Sequence, residues 1–288
     1  MQPRRSVLYM PGSNARALEK ARSLPADSLI LDLEDAVAPE QKAAARSQVL
    51  AALAAGGYGH RECVVRINGL DSEWGQADLE QLAGSPARAL CLPKVETPEQ
   101  IRQAAEALDA AGTDQQLWIM LETPRGVLAA EALCAASPRV AVVVLGTSDL
   151  AKELRVPHSP DRIGLLASLG HCVLAARAHG LDIIDGVHLD LQDSAGLEAS
   201  CRQGRELGFD GKSLIHPGQI AAANAAFSPA ADELEHALAI ETAWQQARAR
   251  GEAVVVVAGR LVENLHVAEA RRLLALAAAI RQREAAIS

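Results

Sequence analysis

Apolar residues come in two rhythms along this chain. Short runs rich in Val, Ile and Leu alternate with longer stretches rich in Ala, Leu, Gln and Glu. The runs are Ser6–Tyr9, Ser28–Leu33, Glu62–Ile67, Ala89–Leu92, Leu117–Leu121, Val140–Leu145, Leu181–Ile184 and Gly211–Ile215. Their length and β-rich content predict strands, and the stretches between them predict helices. Pro39, Pro98, Pro124 and Pro160 stand where helices would begin, the position that tolerates proline. Eight such repeats predict an α/β fold of the (β/α)8 TIM-barrel type. An open doubly wound sheet usually has fewer strands and a glycine-rich first turn. Here the first turn reads Met10-Pro11-Gly12-Ser13-Asn14, which is not that fingerprint.

The rhythm changes after Phe227-Ser228-Pro229. Residues 230–250 read as one helix, Glu252–Leu261 as a short strand pair around Val254–Val257, and Leu265–Arg283 as a second helix. The expected organisation is a barrel over residues 1–228 and a small C-terminal helical lid or oligomerisation arm over 229–288. In the second helix Leu265, Leu273, Leu274 and Leu276 form an apolar stripe that calls for cover.

Composition narrows the class. With 288 residues and 49% hydrophobic content the chain can bury a full core. A net charge of -8 and only 2% aromatic residues argue against a nucleic-acid surface, which needs basic groups and stacking rings. The five cysteines are scattered, with no CxxC pair, as expected of reduced buried thiols. The apolar run after Met1–Arg5 is too short for a secretory signal, and no stretch reaches membrane-spanning length. A cytoplasmic protein without a membrane partner is expected.

Barrel enzymes place their chemistry at the C-terminal ends of the strands. The polar residues there are Asp32-Leu33-Glu34-Asp35 after strand two, Arg66 and Asn68 after three, and Lys94 after four. Glu122 to Arg125 follow strand five, Gly146 to Asp149 follow six, Asp185 and Gly186 follow seven, and His216 follows eight. Glu122 and Asp149 end adjacent strands, so their carboxylates can converge. With no His or Cys beside them, the pair suits Mg2+ better than Zn2+. The plain alternative is two ordinary loop acids. Arg66 leaves a buried Val-Val run, which is costly unless its fork meets an anion. That anion is a substrate carboxylate or an internal partner such as Glu34 or Asp35. Glu34 and Asp35 read either as holders of metal-bound water or as acids at a helix N-terminus. Lys20 is either a solvated lysine or a phosphate contact. His171, His179 and His216 lack metal-ligand spacing.

Six segments together resemble one family. They are Arg5 to Gly12, Leu31 to Val37, Val65 to Asn68, Leu92 to Lys94, Leu121 to Thr123 and Gly211 to Pro217. In order and spacing, over the whole chain, they look like the citrate lyase β-subunit-like group of the HpcH/HpaI aldolases, whose relatives include malyl-CoA and citramalyl-CoA lyases. The resemblance implies Mg2+ at Glu122 and Asp149, with Arg66 on the carboxylate or keto oxygen of the substrate. It implies that Tyr9 and Lys20 contact CoA and that the backbone of Ser148 meets the 2-oxo acid. It also implies a homo-oligomer, trimer or hexamer, in which a lid acid serves a neighbouring subunit. The matching stretch is Gly259–Leu265, where Glu263 replaces the usual Asp and the following proline is absent. Asn14 stands where some relatives carry a basic residue.

The reaction the resemblance implies is a retro-Claisen cleavage of a β-hydroxyacyl-CoA thioester to a 2-oxo acid and an acyl-CoA. Magnesium would ease loss of the hydroxyl proton, Arg66 would stabilise the carbonyl that forms, and Glu263 would protonate the enolate carbon. Two other classes stay open: a citryl-acyl-carrier-protein lyase subunit of a complex, and a non-catalytic accessory subunit.

Overall fold

The computed structural model describes residues 2–251 and 254–285. Eight parallel strands close into a barrel in sequence order. They are β1 Ser6–Pro11, β2 Ser28–Asp32, β3 Glu62–Arg66, β4 Ala89–Leu92, β5 Gln116–Leu121, β6 Val140–Leu145, β7 Asp182–Asp185 and β8 Gly211–Leu214. The expected (β/α)8 architecture is thus the observed one.

Alternation along the strands sorts the core into two layers. Val7, Ile30, Val64, Cys91, Trp118, Met120, Val142, Val144 and Ile184 fill the barrel interior. Their outward neighbours, among them Leu8, Leu29, Leu31, Val65, Leu90, Ile119, Val143 and Ile183, pack under the helices. Both layers are apolar, so the strands read as near-continuous hydrophobic runs. At the N-terminal end, Arg4 Nε lies 2.7 Å from Glu62 Oε2 and Arg5 Nε lies 2.9 Å from Asp27 Oδ2. Those buried pairs sit opposite the face that carries the chemistry.

Three of the four prolines begin a helical turn. Pro39 opens a short 3-10 turn, Pro98 opens the helix Pro98–Ala110, and Pro124 opens Pro124–Leu128. Pro160 does not: the chain turns irregularly there and the next helix is Leu166–Ala178. Arg162, with φ of +52°, lies in that turn and reaches Asp185 on β7 at 2.7 Å. A buried ion pair therefore shapes the segment instead of helix propensity. After β8, a 3-10 turn and the helix Ile220–Phe227 complete the ring, and the imidazole Nδ1 of His216 caps the turn by accepting from the Gly218 N–H at 3.1 Å.

By contacts the chain divides into two compact units, residues 4–227 and residues 228–288 together with 1–3. The second unit has the helix Ala231–Ala249, a hairpin of Val255–Val257 and Arg260–Val262, and the helix Asn264–Ala285. Glu252 and Ala253, expected to open the strand pair, lie outside the described residues. Ala237, Ile240, Trp244, Val262, Val267 and Ala270 form this unit's own small core, with Leu273 and Leu274 packed on it. Leu265 is not part of it: its side chain is exposed. The covered stripe of the last helix runs instead through Val267, Ala270, Ala277 and Ile280.

Candidate active site at the C-terminal mouth of the barrel

Asp32, Arg66 and Glu122 come from the ends of β2, β3 and β5, Lys94 from the turn after β4, and Asp149 from the start of the helix after β6. Asp32 and Arg66 are direct partners in the β2–β3 register. Both continue the inward-facing series of their strands, Ile30 to Asp32 and Val64 to Arg66. Arg66 meets Asp32 through a fork, Nε to Oδ1 at 2.7 Å and Nη2 to Oδ2 at 2.6 Å. Its Nη1 lies 2.8 Å from Glu34 Oε2 and 3.8 Å from Asp35 Oδ2. The guanidinium carbon sits 4.9 Å from the ring centre of Tyr9. Burial opposes the charge on Arg66, but Asp32 foremost, then Tyr9 and Glu34, hold the group well above its usual range.

The internal partner of Arg66 is therefore chiefly Asp32, which sequence reasoning named only in passing. Its signal was present: two charged residues at paired inward positions of neighbouring strands. Asp32 also accepts the backbone N–H groups of Glu34 at 2.9 Å and Ala36 at 3.1 Å. One carboxylate thus holds the guanidinium and the acidic turn that follows.

Glu34 is buried and Asp35 is not. Glu34 Oε1 lies 2.5 Å from Lys94 Nζ. Burial pushes the carboxyl of Glu34 up, and Arg66 and Lys94 offset part of that cost. Asp35 has a side chain 60% exposed and looser contacts, 3.7 Å to Lys94 and 3.8 Å to Arg66.

Glu122 is 3% exposed, and its Oε1 accepts the backbone N–H of Lys94 at 2.8 Å. Burial pushes its carboxyl up to about 8, Arg66 opposing and Glu34 adding to the shift. Gly146 makes room for it, since a Cβ there would stand 2.3 Å from Glu122 Oε2. Asp149 lies in the first turn of the helix Thr147–Leu154, with Oδ2 3.7 Å from Lys94 Nζ. Glu122 and Asp149 are thus both tied to Lys94, one through its N–H and one through its ammonium.

The remaining expected residues are less gathered. Tyr9 lies under Arg66, partly exposed. Ser148 is half-buried beside Asp149. Lys20 is exposed near the end of the helix Ala15–Ala21, and Asn14 caps that helix by accepting from the Ala17 N–H at 3.0 Å. Glu263 belongs to the second unit, where it is exposed at the start of the last helix and its carbonyl accepts the His266 N–H at 3.0 Å.

Among the described residues no group of three or more His, Cys, Asp or Glu side chains gathers as a metal cage. Glu122 and Asp149, each within reach of Lys94, are the carboxylate pair expected to serve Mg2+, an ion that commonly takes one or two carboxylates while water and substrate complete its shell. The donors fit such an ion: Glu122 is a buried carboxylate that burial makes costly to ionise, and a cation would offset that cost.

The sequence pattern of the HpcH/HpaI aldolase/citrate lyase family matches residues 5–217. The chain belongs to this family. It is therefore an enzyme of the aldolase and carbon–carbon lyase type, as the six segments implied. The matched region of the HpcH/HpaI family spans β1 through the turn after β8 and so contains every barrel residue just described. A (3S)-malyl-CoA thioesterase of Cereibacter sphaeroides (strain KD131 / KCTC 12085) is 51% identical over 278 residues, 96% of each chain. The citrate lyase subunit beta of Escherichia coli (strain K12) is 35% identical, over 95% of this chain and 93% of its own. The fold matches the CitE protein of Mycobacterium tuberculosis, solved with magnesium, acetoacetate and coenzyme A, with a TM-score of 0.76 and 30% identity, over 96% of this chain and 98% of that one. No helix among the described residues is long and apolar enough to cross a membrane.

Proposed function

We propose that this chain is a magnesium-dependent enzyme acting on a malyl-CoA-type thioester, a β-hydroxyacyl-CoA with a free carboxylate. The observation that carries the reading is the mouth of the barrel: two carboxylates fit for a divalent ion beside a guanidinium held in a fork. The relatives support the substrate. Four (3S)-malyl-CoA thioesterases share 49–51% identity over 96% of the chain, and the related CitE structure holds magnesium and coenzyme A.

In this reading Glu122 and Asp149 hold the ion, which supplies Lewis acidity toward the hydroxyl and carboxylate of the substrate. Asp32 fixes two nitrogens of Arg66 and Glu34 meets the third, Nη1, whose second N–H serves the oxygen on which charge changes. Asp35 is the looser acid of the β2 turn and takes the hydroxyl proton. The bond between the hydroxyl-bearing carbon and the carbon next to the thioester breaks, its electron pair passing to the thioester enolate. Glu263 returns a proton to that carbon. The products are a 2-oxo acid and an acyl-CoA. Tyr9, Lys20 and the Ser148 backbone form the CoA and 2-oxo-acid contacts of the same reading. A cytoplasmic homotrimer or homohexamer is its assembly, with residues 229–288 as lid and arm of the 1–228 barrel.

The thioesterase relatives favour a second reading, hydrolysis of the same substrate. There water adds, the carbon–sulfur bond breaks, and a hydroxy diacid and free CoA leave. One incubation with malyl-CoA and Mg2+ separates the two: cleavage yields glyoxylate and acetyl-CoA without free thiol, whereas hydrolysis yields free thiol and malate. Citramalyl and citryl thioesters, the latter on CoA and on an acyl-carrier protein, complete the panel and test a citrate lyase β role, which the 35% identical relatives support. No magnesium-dependent turnover of any of these would overturn the proposal.

A further inference from the structure

Lys94 has no part in the chemistry above, yet the acid cluster is arranged around it. Its ammonium lies 2.5 Å from Glu34 Oε1 and 3.7 Å from both Asp35 Oδ1 and Asp149 Oδ2. Its backbone N–H donates to Glu122 Oε1 at 2.8 Å. Its φ is +50°, a left-handed conformation that favours Gly or Asn over a long side chain. A lysine kept in such a backbone at a functional mouth points to a use for its charge.

Charge accounting gives that use. Arg66 is committed to Asp32 and Glu34. Lys94, in contrast, is paired with Asp149. We propose that Lys94 is the resident counter-ion of the metal site: its ammonium neutralises the acids before the divalent ion arrives and competes with that ion for Asp149. Lys94 thereby sets how tightly the resting enzyme holds its metal. The side chain is 44% exposed, so it can turn toward solvent at little cost in burial. Glu34 keeps Arg66 as its partner when Lys94 leaves, so displacement strands no buried charge.

The inference rests on the reading of Glu122 and Asp149 as Mg2+ ligands, and its test separates the two. Mg2+ is titrated calorimetrically into the whole protein as parent, Lys94→Met, Lys94→Gly, Lys94→Arg and Asp149→Asn. Lys94→Met and Lys94→Gly should bind Mg2+ on the order of tenfold tighter than the parent, because a nearby positive charge no longer opposes the ion. Lys94→Arg keeps the charge and should stay near the parent. Glycine suits the backbone at this position, so Lys94→Gly carries the test if Lys94→Met fails to fold. Thermal melts give a second readout: both neutral variants should gain more in Tm on adding Mg2+ than the parent does. Equal or weaker Mg2+ binding by both neutral variants, with Asp149→Asn impaired, overturns the role of Lys94. Undiminished binding by Asp149→Asn overturns the metal site itself.

Discussion

At the scale of single residues, Glu122 and Asp149 stand in unlike surroundings. Glu122 is almost sealed, whereas the side chain of Asp149 is 33% exposed beside the partly exposed ammonium of Lys94. Asp149→Asn should therefore fold normally and still lose Mg2+ binding, since an amide offers the ion no charge. A calorimetric titration matching the parent would exclude Asp149 as a ligand. Arg66→Lys keeps a positive charge but cannot fork onto Asp32. Turnover of the malyl-CoA-type thioester should fall on the order of 10²-fold, the typical loss for one contact directed at the transition state. Parental kinetics would reduce Arg66 to a structural ion-pair residue. Asp32→Asn tests the other half of the pair. It leaves a buried guanidinium short of its main partner, so unfolding free energy should drop by about 3 kcal/mol in urea titrations. An unchanged midpoint would mean that Glu34 alone suffices to hold Arg66.

At the scale of elements, the turn after β6 decides where Glu122 can sit. A Cβ at position 146 would stand 2.3 Å from Glu122 Oε2 and 2.4 Å from Glu122 Cβ. The second contact is with the base of the side chain, which cannot rotate away. Gly146→Ala must therefore shift the end of β6 against β5, at a cost of about 1–3 kcal/mol for overpacking. Mg2+ affinity should weaken together with Tm. Parental affinity would show that the turn has slack, or that Glu122 is not a ligand. The same turn shows where pattern reading works. β6 is a run of valines between turn residues, so its extent, Val140–Leu145, is read correctly from sequence. The segment around Pro160 is misread, because a proline marks a possible helix start only when no tertiary contact claims the backbone. Here Arg162 turns inward to Asp185, and Asp185 also takes the ammonium of Lys212 at 2.9 Å. Neither partner is near Arg162 in sequence.

At the scale of the whole molecule, Glu263 is the residue that the proposed reading places in the site of a neighbouring subunit. Glu263 is exposed within its own unit, at the start of the last helix. If it completes the site of a neighbouring subunit, two inactive variants should restore each other. Glu263→Gln and Asp149→Asn, mixed under conditions in which labelled subunits exchange, should recover part of the malyl-CoA-directed activity, because some sites then have both groups intact. Inactive mixtures from demonstrably exchanged subunits would rule out a shared site completed by Glu263.

The strand runs, their number and the mouth they define follow from the sequence alone, because barrel strands buried on both faces are largely apolar and charged residues gather beyond their C-terminal ends. The same logic lists Asp32, Glu34, Arg66, Lys94, Glu122 and Asp149 as mouth residues. Which of them touch is another matter. Register across β2 and β3 sets Asp32 on Arg66, the room left by Gly146 admits Glu122, and a left-handed backbone at Lys94 lets one residue meet Glu122 with its N–H and Glu34 with its ammonium. Those are distances between residues far apart in the chain, and only closure of the barrel brings them within reach of one another.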